Sequence, residues 1–143
     1  MIEMLVVFIV FGVSAMIATR SVGDTLRRDR VGKAAAVLSA DIEQAFSLAA
    51  RQRTPIRIAM NGSKLSFVVI DRADTTFKYR TRTLTGDFAL DFMTPSRDSL
   101  DVMPNGLATD TLNLTIGVFT TGGARYSKSI RVTRGGLVRV GNR

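Results

Sequence analysis

The feature that most constrains how this chain folds is an apolar run at its N-terminus, which passes into a helical pattern with no proline before Pro55. The run extends to Ala18, and between Ile2 and Thr19 it holds one charge, Glu3. At about 1.5 Å per residue, a helix of this length approaches the thickness of about 30 Å that a bilayer core has. A carboxylate inside such a segment is costly, so Glu3 is a candidate functional residue and the run is predicted to be a transmembrane helix.

The segment that follows keeps the spacing of an amphipathic helix. Its apolar positions recur at intervals of three and four residues: Val31, Ala34, Ala35, Leu38, Ile42, Ala45 and Ala49, flanked by Phe46 and Leu48. The predicted polar face carries Lys33, Asp41, Glu43, Gln44 and Ser47. This pattern is typical of a helix that packs one stripe on a core, and Pro55 disfavours its continuation. We therefore predict one continuous helix of about 50 residues.

Beyond Pro55 the apolar positions alternate, as they do in strands. The predicted strands are Ile56–Met60, Leu65–Val69, Thr76–Leu84, Phe88–Met93, Thr111–Phe119, Tyr126–Val132 and Leu137–Val140. Asn61-Gly62 predicts a hairpin between the first two strands, and Arg134-Gly135-Gly136 predicts another between the last two. A long helix followed by antiparallel strands places the chain in the α+β class.

The composition excludes several kinds of active site. The 143 residues contain no cysteine and no histidine, which removes disulfides, thiol nucleophiles, the usual general base and the commonest metal ligand. No glycine-rich phosphate loop occurs, and no serine has a base to activate it. We therefore predict a protein that is not an enzyme and that needs no cofactor or metal. The formal net charge of +8 favours attraction to polyanions such as nucleic acid or anionic lipid.

Three pairs of aspartates invite comparison with a calcium site: Asp71 and Asp74, Asp87 and Asp91, and Asp98 and Asp101. None of the pairs has the dense alternating spacing of a calcium-binding loop. We predict that these residues are turn formers and solvated loop acids rather than metal ligands.

The N-terminal residues resemble those of a known family. The segment Ile2-Glu3-Met4-Leu5-Val6-Val7, followed by Gly12 and Ala15–Ala18, is similar to the start of type IV pilins and of the pseudopilins of type II secretion. In that family a peptidase removes a leader, and the new first residue is methylated on its nitrogen. Met1 matches the third mature position of that pattern. The resemblance implies the pilin fold, in which a long N-terminal helix packs on an antiparallel β head.

The resemblance also implies a role for the apolar run. Glu3 is expected to neutralise the N-terminal amine of a neighbouring subunit during assembly. The small residues Gly12, Ser14 and Ala15 would allow close approach of helices, and the alternative is that they are incidental composition. The expected filament-core side chains are Leu5, Val6, Val7, Phe8, Ile9, Val10, Phe11, Val13 and Ile17. The alternative for Glu3 is an acid that flanks the lipid headgroups. The expected partners are other copies of the chain or related pilins, the inner membrane before assembly, and the pilus or secretion machinery.

The expected organisation has three parts: a transmembrane or filament-core segment at 1–20, its amphipathic continuation at 21–54, and an antiparallel β head at 55–143. The subunit is expected to wait in a bacterial inner membrane with its head on the periplasmic side, and then to enter an extracellular or periplasmic filament. The basic residues after the apolar run would by themselves favour a cytoplasmic head, a conflict that a basic leader would resolve. A single-pass membrane enzyme or sensor is the alternative outside the family.

Two further segments, 38–58 and 130–140, are similar to the GspH/FimT branch of the family. That branch offers an alternative function, a minor subunit that primes assembly or binds DNA through its basic C-terminal region. Here the region carries Arg125, Lys128, Arg131, Arg134, Arg139 and Arg143, and two of them, Arg131 and Arg139, are expected to share a face. We favour a solvated face, or contacts to aspartates of adjacent subunits, because Tyr126 is the one aromatic platform in the region.

Overall fold

The computed structural model describes residues 2–120, 123 and 125–142, leaving aside the side chains of residues 2, 5 and 17–21, and it confirms the predicted α+β class. The single predicted helix is confirmed as α1 (Ile2–Gln52), which is 51 residues long. It ends where Arg53 adopts the left-handed conformation, with φ of 55°, two residues before Pro55. A left-handed residue after the last turn and a proline shortly beyond it are common at helix C-termini.

Two four-stranded antiparallel sheets follow α1. The elements in chain order are β1 (Ile56–Asn61), β2 (Ser66–Asp71), β3 (Lys78–Thr83), α2 (Leu84–Phe88), β4 (Phe92–Pro95), β5 (Ser99–Val102), β6 (Leu112–Phe119), β7 (Arg125–Val132) and β8 (Val138–Asn142). Sheet A has the strand order β3-β2-β1-β5, and sheet B has the order β4-β6-β7-β8. Both predicted hairpins are confirmed, β1 with β2 and β7 with β8.

The core lies between the second half of α1 and the two sheets. All seven predicted stripe residues of α1, from Val31 to Ala49, are completely buried. Sheet A contributes Ile56, Ile58, Phe67, Val69, Leu100 and Val102, and sheet B contributes Leu112, Leu114, Ile116, Val118, Ile130 and Val132. Four members of the helical stripe are alanines, which lets the strands approach the helix closely while larger side chains from the sheets fill the interior.

Strand β7 runs beside α1 in the same direction as the helix. Near its start, the guanidinium of Arg28 lies 5.5 Å from the centroid of the Tyr126 ring. Beyond its end, the turn that leads into β8 lies against the helix, because a Cβ on Gly136 would be 2.9 Å from Phe46. We call the end of the head beside Arg28 its base, since α1 continues from there towards its N-terminus.

Two details of the strand prediction are wrong. The predicted strand Phe88–Met93 begins too early, because the chain first forms α2 and then turns through a left-handed Ala89 before β4. The whole of β5 is missing from the prediction, which placed a loop there because of the flanking prolines. In the structure Leu100 and Val102 alternate into the core and pair with β1.

The outer face of sheet B has a position that only glycine fits. A Cβ on Gly117 would lie 2.5 Å from both the Phe92 ring and the carbonyl oxygen of Tyr126. We expect Gly117→Ala to lower the free energy of unfolding by about 1–3 kcal/mol, because the aromatic ring and the backbone must both shift. Chemical denaturation followed by circular dichroism in mild detergent measures this change.

Gly86→Ala is the matched control, because a Cβ at Gly86 meets no atom within 4 Å. Gly86 lies in α2, where alanine has the higher helix propensity. The free energy of unfolding of Gly86→Ala is therefore expected to differ from that of the unaltered chain by less than about 1 kcal/mol. Equal losses in the two variants would contradict the close approach of Phe92 to Gly117.

Candidate assembly surface

Among the side chains that the structure describes, the first half of α1 carries an exposed apolar surface. Nine large apolar side chains between positions 4 and 16 are each between 51% and 74% exposed: Met4, Val6, Val7, Phe8, Ile9, Val10, Phe11, Val13 and Met16. A helix that is apolar all round is normally buried, and exposed apolar patches of this size mark interaction sites. We call residues 4–16 the apolar surface of α1.

The structure brings most of the predicted assembly residues together on this surface. Seven of the nine predicted core residues belong to it, while the side chains of Leu5 and Ile17 lie outside the described part of the chain. Glu3 is exposed in the first turn of the helix, and a Cβ on Gly12 would meet no atom within 4 Å. Searched over the described residues, no helix meets the length and hydropathy of a membrane span.

The second half of α1 is fixed to the head by a buried carboxylate. The side chain of Asp41 is only 5% exposed, and its oxygens lie 2.8 Å from Arg82 Nε and 3.3 Å from an Arg80 nitrogen, both on β3. Arg80 also donates a hydrogen bond of 3.0 Å to Gln44 on the helix. A buried charge must be paired to be tolerated, so these contacts hold the edge of sheet A against α1.

The prediction that Asp41 lies on a solvated helix face is therefore wrong. Asp41 is three residues after the buried Leu38 and four before the buried Ala45, so it lies beside the apolar stripe, where a packed sheet covers it. The arginine content of the strand Lys78–Thr83 was a signal of this role, because Arg80 and Arg82 are two residues apart and share a face. Local spacing does not predict that these arginines contact Asp41, which in the case of Arg82 is 41 residues earlier in the chain.

A second ion pair lies within sheet A. Asp101 on β5 stands opposite Arg57 on β1, and the guanidinium donates two hydrogen bonds of 2.7 and 3.0 Å to the carboxylate. Arg72 Nε lies 3.3 Å from the same group. The prediction that Asp101 is a solvated loop acid is wrong, because it belongs to a strand that the sequence pattern missed. Asp71 and Asp74 do form turns, as predicted, by accepting hydrogen bonds from nearby backbone nitrogens.

The remaining acids give no sign of a metal site. Asp91 accepts a hydrogen bond of 2.7 Å from the Phe119 backbone nitrogen, and Asp110 pairs with Arg97. Across the described residues, no three acidic side chains come together as metal ligands would.

The predicted basic residues are divided between different faces of sheet B. The pairing of Arg131 with Arg139 across β7 and β8 places both on one face, as predicted. This is the outer face of sheet B, which also carries Arg125. Lys128 lies on the opposite face, where its Nζ would be 3.8 Å from a Cβ on Gly32 of α1. The sequence contained this signal, because residues an odd number apart on a strand face opposite sides.

The other two predicted basic residues add no common patch. Arg134 lies in the turn between β7 and β8, at 3.9 Å from an Asp110 oxygen, and Arg143 lies outside the described residues. Two aromatic rings that the prediction overlooked, Phe92 and Phe119, lie under the guanidinium of Arg125 at 6.0 and 5.4 Å. Phe119 pairs directly with Arg125 across β6 and β7, whereas Phe92 comes from β4, much earlier in the chain, and only the sheet order brings it to the other two.

The architecture of one long helix packed on two antiparallel sheets is the pilin fold. The type IV minor pilin FimU of Pseudomonas aeruginosa is similar, with a TM-score of 0.63, 17% identity, and coverage of 80% of this chain and 90% of that one. A second crystal form of FimU gives a TM-score of 0.59 at 18% identity, with coverage of 77% of this chain and 91% of that one.

The minor pseudopilin EpsH, from the type 2 secretion system of Vibrio cholerae, is similar to the same degree. Its TM-score is 0.62 at 12% identity, over 79% of this chain and 97% of that one. No protein-family model matches the sequence, and no curated protein matches it. At these identities the likeness establishes the fold, and the fold predicted from the sequence is confirmed.

The lowered pKa of Asp101 makes part of the stability depend on pH. The hydrogen bonds from Arg57 lower this pKa, and the charges of Arg57 and Arg72 act in the same direction against the cost of burial. The ion pair therefore stabilises the fold above the unfolded pKa of about 3.9, and this contribution is lost as the pH falls through the lower folded pKa. We expect Asp101→Asn to lower the free energy of unfolding at pH 7 by about 1–2 kcal/mol.

The measurement is chemical denaturation between neutral pH and the acid range. Asp101→Asn is expected to show a flatter loss of stability below about pH 4 than the unaltered chain. Asp98→Asn, at an exposed position just before β5, is the control and is expected to leave the acid profile unchanged. An unchanged profile in Asp101→Asn would contradict the role of this pair.

Truncation of an apolar side chain is expected to change the free energy of unfolding little in the first half of α1 and strongly in the second half. Phe8 is 74% exposed, whereas Leu38 is completely buried. Phe8→Ala is expected to change the free energy of unfolding by less than about 0.5 kcal/mol, and Leu38→Ala to lower it by about 2–5 kcal/mol. Denaturation in mild detergent measures both values. A loss at Phe8 as large as that at Leu38 would show that the head covers the apolar surface of α1.

Proposed function

We propose that this chain is a structural subunit of a type IV pilus-like or pseudopilus filament, which polymerises through the first half of α1. The observation that carries the proposal is the apolar surface of α1, which extends from a head whose own core is complete without it. The pilin fold supports the same role, since the solved structures with this fold include a minor pilin and a minor pseudopilin. The proposed role is structural and needs no catalytic residue.

The driving force for polymerisation is the burial of apolar side chains. Fully burying one valine, isoleucine, phenylalanine or methionine side chain contributes about 1.5–3 kcal/mol, and nine such side chains are exposed between positions 4 and 16. In the proposed filament these helices form the central bundle and the β heads form the outer wall. Gly12, with open space around it, lets a neighbouring helix approach closely.

Glu3 provides the specific contact in this bundle. A carboxylate that enters an apolar interior is tolerated only with a partner, and removing one partner of a buried pair costs about 3–5 kcal/mol. The proposed partner is the N-terminal amine of the adjacent subunit, which would fix the axial register between neighbours. The same group in an unassembled subunit is exposed, as the structure shows for Glu3.

Before assembly the same helix is proposed to sit in the inner membrane, with the head on the periplasmic side. The support is the exposure of the apolar side chains, which need either lipid or other helices around them. The proposed partners at this stage are related pilins and the assembly machinery of a pilus or of a secretion system.

The alternative is a minor subunit that primes assembly or binds DNA through its basic C-terminal region. The priming role is supported by the minor pilin and the minor pseudopilin among the similar structures. DNA binding by the predicted set is disfavoured, because Lys128 faces α1 whereas Arg131 and Arg139 face outwards. Phosphate contacts that act together need several cations on one surface.

Filament formation tests the role of Glu3. The unaltered chain, Glu3→Gln and Glu43→Gln are expressed in a host that provides a pilus assembly system, and sheared filaments are counted by negative-stain electron microscopy with antibody labelling. Glu43 is the matched control, because it is an exposed glutamate on the packed half of the same helix. Glu3→Gln is expected to reduce the filament count at least about tenfold, because it removes the charge that pairs with the amine.

Two outcomes would contradict the proposal in different ways. Equal filament counts for Glu3→Gln and the unaltered chain would refute the pairing with the amine while leaving polymerisation intact. Labelling confined to filament tips would refute a major structural role and would support the minor subunit.

A further inference from the structure

A group of cations surrounds the point where α1 leaves the base of the head. We call Arg28, Arg30, Arg125 and Lys128 the basal collar, the first two from α1 and the others from β7. Arg28 lies over Tyr126 at 5.5 Å, and Arg125 lies over Phe119 at 5.4 Å. These ring contacts orient the guanidinium groups at the base without neutralising their charge.

The collar keeps an excess of positive charge. On the same stretch of α1, Arg27 lies 3.6 Å from Asp24 and Lys33 lies 2.7 Å from Asp29, so those cations have acids beside them. None of the four collar residues forms an ion pair with a carboxylate in the part of the chain that the structure describes. Asp91 also lies towards the base, where its carboxylate accepts the backbone hydrogen bond of Phe119.

The collar borders exposed apolar surface on the side of the N-terminus. Two exposed apolar side chains precede the collar on α1: Val22 is 59% exposed, and Leu26, two residues before Arg28, is 52% exposed. Uncompensated cations and a tyrosine beside an apolar helix are the chemistry of a lipid–water boundary. Near an anionic surface such cations are attracted to the lipid headgroups, and the attraction falls off within a Debye length.

On the premise of the membrane-held stage proposed above, we propose that the basal collar binds the anionic headgroups of phospholipids and seats the head on the membrane surface before assembly. Arg125 and Lys128 face opposite sides of sheet B, but both lie near the start of β7 and so border the base of the head. Arg28 and Arg30 of α1 lie at the same level, because α1 packs beside β7. Lipid is favoured over nucleic acid because Val22 and Leu26, which are exposed apolar side chains, lie on α1 between the apolar surface of α1 and the collar.

The absence of cysteine from the sequence allows a clean test. Ser127→Cys places a single thiol on β7 between Arg125 and Lys128. The full chain with this thiol is reconstituted into vesicles of phosphatidylcholine alone, or with about a third of phosphatidylglycerol, and the reaction rate of the thiol with an uncharged polymer-linked maleimide is measured. The anionic lipid is expected to slow the reaction at least about threefold, and salt of about 1 M to reverse the effect.

Paired variants separate the collar from general charge. Arg28→Gln with Lys128→Gln is expected to abolish the effect of phosphatidylglycerol. Arg51→Gln with Lys78→Gln removes the same charge at the opposite end of the head and is expected to preserve it. Circular dichroism checks that both double variants are folded.

The outcomes distinguish this inference from the function proposed above. Equal thiol reactivity in the two kinds of vesicle, for protein that floats with neutral vesicles, would overturn the lipid contact and leave the membrane-held stage intact. Protein that floats with neither kind of vesicle would overturn both. Thiol protection by short DNA, with none from phosphatidylglycerol, would identify nucleic acid as the partner and overturn the lipid contact.

Discussion

The whole head depends on the burial of one stripe along the second half of α1. Seven residues from Val31 to Ala49 lose all contact with solvent, and strands of both sheets pack against them. Neither sheet has another helix of comparable length to cover its apolar face, since α2 has only five residues. The length of α1 therefore serves two purposes. Its second half completes the core of the head. Its first half extends beyond the head, and the apolar side chains of that half are exposed.

Charge fixes the position of sheet A on that stripe. The carboxylate of Asp41 would be costly to bury without partners, and the two arginines of β3 provide them. Asp101 plays a comparable part between β1 and β5. The apolar packing between the stripe and the sheets is non-directional, whereas each of these ion pairs requires a specific arrangement of its charged groups. The Asp41 pairs therefore give sheet A a defined orientation on the helix, and the Asp101 pair fixes β5 against β1 within that sheet.

Local spacing was enough to predict the helix, its buried stripe and both hairpins, because these features repeat within a few residues. The shared face of Arg131 and Arg139 followed from the same two-residue period. The failures arose where distant segments decide the outcome. Strand β5 is only four residues long between prolines and exists through its pairing with β1. The burial of Asp41 depends on arginines about 40 residues away, and no periodicity of the helix reveals them.

The alignment of β7 with α1 determines how the head carries force. The strand runs beside the helix from Tyr126 near Arg28 to a turn that lies against Phe46, so the packed surface between them extends along the direction of pull on the helix. A force along α1 would have to slide the helix past the sheets. All contacts of Val31–Ala49 would resist that force at the same time and would not break one after another. The head is thus attached to the helix in a shear geometry.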